Sequence, residues 1–192
     1  MFTGLVQNLG KIIDLKKVDE NLSLCISSAL PESVFSIGAS IAVDGVCLTV
    51  EKCENGQFWV TAVPETLSKT CLGSLVAGDS VHLESALTLA TPLGGHLISG
   101  HVDGFATVLA PAPLLRLELP AELMKFCPVK GSITVLGVSL TIAEAKENWI
   151  ELALIPETMK VTKLGVLKIG DRVHIEIDMI ARYLEHLYAS TR

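Results

Sequence analysis

Apolar and polar residues alternate, or gather in short apolar runs, through most of the chain, as in SIAVDGVCLTVEK (residues 40–52) and FWVTAV (58–63). A period of two in runs this short describes strands with two unlike faces, not the stripe of a helix. Glycine, Asn-Gly and proline interrupt the runs at intervals typical of β-meanders and barrels. Asn55-Gly56 marks a tight hairpin, because both positions tolerate positive φ. Short helices are expected at PETLSKT (64–70) and PETMKVT (156–162), where Pro at a first helical position is followed by Glu. PESVFSIG (31–38) and PAELMKF (120–126) read similarly. The tail departs from this pattern. From Asp178 the sequence DMIARYLEHLYAS sets Ile180, Leu184, Leu187 and Tyr188 at helical spacing, with Arg182, Glu185 and His186 on the other face. A lone amphipathic helix must dock on something. Its own barrels and a seam between copies are both open.

The chain is written twice. GASIAVDGVCLTV (38–50) returns as KGSITVLGVSLTI (130–142), and VPETLSKTCLGSLVAGDSVHLE (63–84) returns as IPETMKVTKLGVLKIGDRVHIE (155–176). One offset, 92 residues, pairs Ser40 with Ser132, Gly45 with Gly137, Cys47 with Ser139 and Thr49 with Thr141. Nearer the start of each half, FTGLVQNLGKI from Phe2 resembles ISGHVDGFATV from Ile98, and Gly4 matches Gly100 at an offset of 96. A loop that differs by a few residues accounts for the change. The period is far too long for a solenoid. The expected fold class is therefore all-β, two duplicated small barrels in tandem: residues 1–96, residues 97–178 and a terminal helix over 179–192. The junction is placed in Leu87–Gly95, where the first repeat is exhausted and turn residues concentrate.

At 192 residues and 49% hydrophobic content, two such domains can each bury a core without disulfides. Fifteen basic against 21 acidic residues give a net charge of −6, with no basic stripe to track phosphates, so nucleic acid is not an expected partner. FATVLAPAPLL, the longest mainly apolar stretch, is too short and proline-broken to span a bilayer. MFTGLVQNLGKI shows no basic leader or cleavable apolar core, and a cytoplasmic location is expected. The five cysteines are odd in number and contain no C-x-x-C pair, which points to free thiols and no structural zinc.

The leading MFTG, the twinned GVCLTV and GVSLTI, the central GGHLISGHVDG and the paired PET and GD-x-VH-[LI]-E segments together resemble the riboflavin synthase family, in order and over nearly the whole chain. The resemblance implies tandem six-stranded Greek-key barrels and a homotrimer held by C-terminal helices. It also implies an active site where the first barrel of one subunit meets the second barrel of the next. It implies a reaction without metal or redox cofactor, in which two molecules of 6,7-dimethyl-8-ribityllumazine yield riboflavin and a ribitylaminopyrimidinedione. Carried over by matching motifs, the first lumazine touches Gly4, Leu5 and Val6, then Cys47, Leu48 and Thr49, then Thr61, Ala62, Val63, Pro64, Glu65 and Thr66. The second touches Gly100, His101 and Val102, Lys130, then Ser139, Leu140 and Thr141, then Ile155, Pro156, Glu157, Thr158, Met159 and Lys160. Ser40, Cys47, His96 and His101 stand where the family pattern has active-site residues.

A duplicated binder suits a reaction between two copies of one compound, since holding both in register removes most of the entropic cost of their encounter. Each half is expected to fold alone and hold one lumazine. Lumazine's amide-like edges and polyol chain call for backbone groups and hydroxyls, which Thr49, Thr66, Ser139, Thr141 and Thr158 supply; any one of these threonines alone is equally a good strand residue. A proton must leave an acidic methyl group of one lumazine, and a nucleophile or hydroxide must add to the other. His101, in the Gly-rich SGHVDG turn, is the expected base. His82 and His174 occupy equivalent strand positions and read as structural, and His186 lies on the polar helix face. Cys47 is a candidate nucleophile or a small buried residue. Its partner is Ser139, so the halves are expected to play unequal roles. Asp44 stands where the family has Asn, Leu136 where it has Asp, and His82 and His174 replace an Asn. The competing readings are a non-catalytic lumazine or flavin antenna of the same fold, and a flavin-dependent reductase, for which no dinucleotide fingerprint is present.

Overall fold

The structure, a computed structural model, describes residues 1–189. The first barrel comprises β1 (Asn8–Val18), β2 (Asn21–Ser27), β3 (Ser40–Val43), β4 (Val46–Glu54), β5 (Gln57–Ala62) and β6 (Ser80–Ser85), closed in the order β1-β2-β5-β4-β3-β6. The second comprises β7 (Gly104–Ala110), β8 (Leu114–Glu118), β9 (Ser132–Val135), β10 (Val138–Ala145), β11 (Trp149–Ala153) and β12 (Arg172–Ile177), closed in the same Greek-key sense. The α-helices are α1 (Pro64–Lys69), α2 (Ala121–Met124), α3 (Pro156–Val161) and α4 (Met179–Ala189). PESVFSIG forms only a 3₁₀ turn, Glu32–Phe35, between extended residues at Pro31 and Ser36. Of the terminal segment expected over 179–192, residues 190–192 lie outside the described residues.

Alternation drives closure. Ile41, Val43, Phe58, Val60, Val81 and Leu83 point into the first barrel, and Ile133, Val135, Ile150, Leu152, Val173 and Ile175 fill the second, all of them fully buried. Small barrels need sharp local curvature, which a bulge supplies. The register slips between Ile12 and Asp14 and between Val50 and Lys52, and again at the equivalent Val108/Ala110 and Ile142/Glu144. The repeat thus extends to its irregularities. Asn55 and Gly56 both have positive φ, as the hairpin signal required.

The barrels meet turn against turn. Asp44-Gly45 joins β3 to β4 and Leu136-Gly137 joins β9 to β10, each pair with positive φ. A Cβ on Gly45 would lie 2.5 Å from the backbone of Gly137, so glycine is required at this crossing. His82 and His174 reach over it reciprocally. His82 Nδ1 lies 2.7 Å from the Leu136 carbonyl while its Nε2 accepts from the Lys163 N–H. His174 Nε2 lies 2.5 Å from the Asp44 carbonyl while its Nδ1 accepts from the Cys71 N–H. Burial pushes both imidazoles below the usual histidine range, and each must be neutral to donate at one nitrogen and accept at the other. The structural reading of these two histidines follows from this geometry.

Candidate active site

The leading segment of each half runs between the barrels, and an acid at the end of each barrel holds it. Glu84 on β6 accepts from the N–H and hydroxyl of Thr3 and the N–H of Gly4; Glu176 on β12 accepts from the N–H and hydroxyl of Ser99 and the N–H of Gly100. Desolvation pushes both carboxyls above the usual range, against the pull of these donors. Phe2 and Ile98 pair as an antiparallel bridge, so the two segments also touch each other.

Held this way, each segment crosses to the opposite barrel. The Gly4 carbonyl accepts from the Ser139 N–H, and the Gly100 carbonyl accepts from the Cys47 N–H, both at 2.9 Å. A Cβ on either glycine would strike Ser139 or Cys47 at 2.5 Å. Val6 packs against the second barrel's core and Val102 against the first's. The grouping expected from sequence is therefore corrected: Gly100, His101 and Val102 belong with Cys47 and α1, while Gly4, Leu5 and Val6 belong with Ser139. The carry-over by matching motifs grouped them by half, because the crossing of each segment to the opposite barrel leaves no mark in the motifs.

A cavity of 260 Å³ opens at the first crossing, lined by Val46, Cys47, Glu65, Thr66, Lys69, Thr70, Gly100, His101 and Val102. Lys69 Nζ and Glu65 Oε1 pair at 2.9 Å at its mouth. Cys47 is half-buried and His101 exposed, and His101's N–H is fixed by the Ser99 hydroxyl. Ser40 lies on the same outer face, opposite Thr49 and two pairs along from Ala42 and Cys47, and is not among the cavity walls. Thr61 bonds Glu51 instead. Leu48 and Ala62 point into the barrel core, so their part in any site is through the backbone.

At the second crossing Ser139 meets Gly4, with Leu5 and Val6 following, and the repeat equates Glu157, Thr158 and Val161 with Glu65, Thr66 and Lys69. Leu5 stands for His101 and Val161 for Lys69, so this place is the more apolar of the two. His96 joins it, with Nδ1 2.7 Å from Ser139 Oγ. Met159 and Lys160 instead line a larger cleft of 610 Å³ between the barrels. Lys130 is exposed, with positive φ, at the turn before β9. The large cleft's charges are mostly committed: Lys163 pairs with Asp44 at 2.6 Å, and Asp79 and Asp171 accept from the Val76 and Lys168 N–H groups. Glu84, Glu176 and Lys163 escaped the sequence reading, although an acid ending a strand inside both copies of GD-x-VH-[LI]-E was a usable sign of an anchor.

Residues 3–86 and again 99–178 match the lumazine binding domain. The riboflavin synthase of Mycobacterium tuberculosis (strain H37Rv) is 39% identical over 199 residues, covering 99% of each chain. That of Bacillus subtilis (strain 168) is 40% identical over 189 residues, 96% of this chain and 88% of its own. The chain belongs to the riboflavin synthase family. It is an enzyme of riboflavin biosynthesis with a repeated lumazine-binding fold. Among solved structures, LumP complexed with riboflavin superposes with a TM-score of 0.79 at 26% identity, over 92% of this chain and 99% of LumP. LumP complexed with 6,7-dimethyl-8-(1'-D-ribityl) lumazine gives the same score at 25% identity. In this family member Cys47, Glu65, Thr66, Gly100, His101 and Val102 share one place, and Gly4 meets Ser139 at the other, each built from both halves of the chain.

Proposed function

We propose that this chain binds two molecules of 6,7-dimethyl-8-ribityllumazine and moves a four-carbon unit from one to the other, giving riboflavin and 5-amino-6-(ribitylamino)uracil. Two units, residues 1–96 and 97–178, each carry one lumazine, with the leading segments exchanged as described. The observation that carries the reading is that two equivalent places differ in chemistry: Cys47, Lys69 and His101 at one, Ser139, Val161 and Leu5 at the other. The products together contain the atoms of the two substrates, so the transfer draws on no external oxidant or cofactor. His101 takes the methyl proton, and Cys47 or a hydroxide adds to the acceptor ring. Ser40 offers a hydroxyl farther along the strand that carries Ala42 opposite Cys47.

The terminal helix supports a trimer. Its polar side faces inward, with Arg182 on Asp103 at 2.8 Å and Glu185 on Lys125 at 2.5 Å, while Ile180, Tyr183 and Leu184 are about 60% exposed. An amphipathic helix turned apolar side outward calls for a second copy. We place the trimer in the cytoplasm, with residues 179–192 as its seam and each active site closed between subunits.

Mixing the purified protein with ribityllumazine decides between catalysis and a LumP-like binder: riboflavin appears, measured by its fluorescence, or the lumazine stays bound and unchanged. At saturating lumazine, Cys47→Ala and His101→Ala depress turnover by about a hundredfold or more. Ser139→Ala acts mainly through affinity, costing about 1 kcal/mol.

A further inference from the structure

His96 stands in the segment between the two barrels, two residues ahead of Ile98. The ring of His96 lies across a cross-strand pair. Ser139 on β10 faces Thr134 on β9; Nδ1 is 2.7 Å from Ser139 Oγ, and Nε2 is 3.2 Å from Thr134 Oγ1. The approach depends on Gly95, where a Cβ would lie 2.1 Å from the Thr3 carbonyl and 2.8 Å from Ser139 Cβ. The His96 N–H donates to that same carbonyl at 3.2 Å. At the equivalent pair in the first barrel stand Ala42 and Cys47, packed with Phe2 and Ile98 in an apolar cluster.

A neutral imidazole has one donor and one acceptor, and burial favours that form here. Thr134, His96 and Ser139 therefore form a directed chain, and the hydrogen bond that Ser139 makes with His96 decides what its hydroxyl has left to offer. Ser139 retains the capacity to bond one more group at the second crossing. We propose that His96 is a positioning residue for the second lumazine: it fixes the direction of the Ser139 hydroxyl, so that this place grips a ring edge by a neutral hydrogen bond of set polarity. The inference rests on the lumazine reading above. Thr134 fixes His96 in turn.

The test is direct titration with an 8-ribityllumazine lacking the 7-methyl group, which cannot give up its carbons, beside steady-state kinetics with the true substrate. His96→Ala and Ser139→Ala each weaken one of two binding events about fivefold, as expected for one neutral hydrogen bond, and the double variant is no worse than either single. KM rises more than kcat falls. His96→Gln, which retains a donor and an acceptor, recovers part of the loss, and Thr134→Val reproduces it without emptying the interface. Multiplicative losses in the double variant, or a His96→Ala protein with normal binding and collapsed kcat, overturn the proposal. A wild-type protein that binds no lumazine overturns the functional reading with it, and an intact first binding event separates the two failures.

Discussion

Lys163 of the second barrel holds Asp44 of the first, Nζ to Oδ2 at 2.6 Å, and the equivalent positions in the other half are Cys71 and Leu136. Both members of the pair changed together between the two repeats. Asp44 is almost wholly buried, and its other oxygen accepts from the His82 N–H at 2.7 Å. Lys163→Met, which strands that carboxylate, is expected to cost up to about 3 kcal/mol. Asp44→Leu with Lys163→Cys, which imports the other half's pair, costs less than the two singles combined. Urea unfolding of the wild type, Asp44→Leu, Lys163→Cys and their double variant gives a coupling of about 0.5–3 kcal/mol.

Stability should fall on mild acidification. His82 and His174 have folded-state pKa values pushed down by burial, whereas in the unfolded chain they titrate near about 6.5. Above that pH both states are neutral and the two residues contribute no pH dependence. Below it the unfolded chain takes up protons that the folded chain refuses, so stability drops by up to about 1.4 kcal/mol per pH unit for each histidine. Glu84 and Glu176, pushed up by burial, act in the opposite sense once the pH reaches their folded values. Replacing both histidines by Asn keeps a donor and an acceptor without the titration. Thermal midpoints between pH 7 and 5 should decline for the wild type and flatten for the double variant.

Two glycines separate backbone cost from blockage. Gly38 and Gly100 both have positive φ, but a Cβ at Gly38 meets nothing within 4 Å, while one at Gly100 lies 2.5 Å from Cys47 Cβ. Gly38→Ala should lose about 1–2 kcal/mol and bind lumazine normally. Gly100→Ala should lose more and lose its first binding event, as calorimetric titration would register.

Deleting residues from Ile180 onward removes the proposed seam and the Arg182 grip on Asp103, two residues from His101. The truncated chain should sediment as a monomer, bind lumazine and turn over poorly. A truncated protein that remains trimeric would rule out the helix as the seam.

The strands, hairpins and duplication were legible because each is written locally: period-two burial, Asn55-Gly56, and an offset preserved through 63–84 and 155–176. The partnership of Gly100 with Cys47 was not, since it depends on a segment crossing between barrels with no local mark. A fragment ending near Thr91 thus carries a barrel but lacks Gly100–Val102, a wall of its own cavity, against the expectation that each half binds alone. The role of Leu136 was also hidden. Its side chain is buried in the second barrel's core, yet its carbonyl takes the bond from His82, so the polar contribution of the position survives the loss of a polar side chain.

A solitary repeat would own a barrel, an acid gripping its own leading segment, and a pocket that only another copy's segment can finish. Two such units trading segments about a twofold axis complete both pockets, and the present chain is that trade carried on one polypeptide. Fusion freed the halves from symmetry. With each copy covalently assigned a position, His101 and Leu5, Lys69 and Val161, Cys47 and Ser139 are free to differ, and the two pockets of one chain carry different side chains.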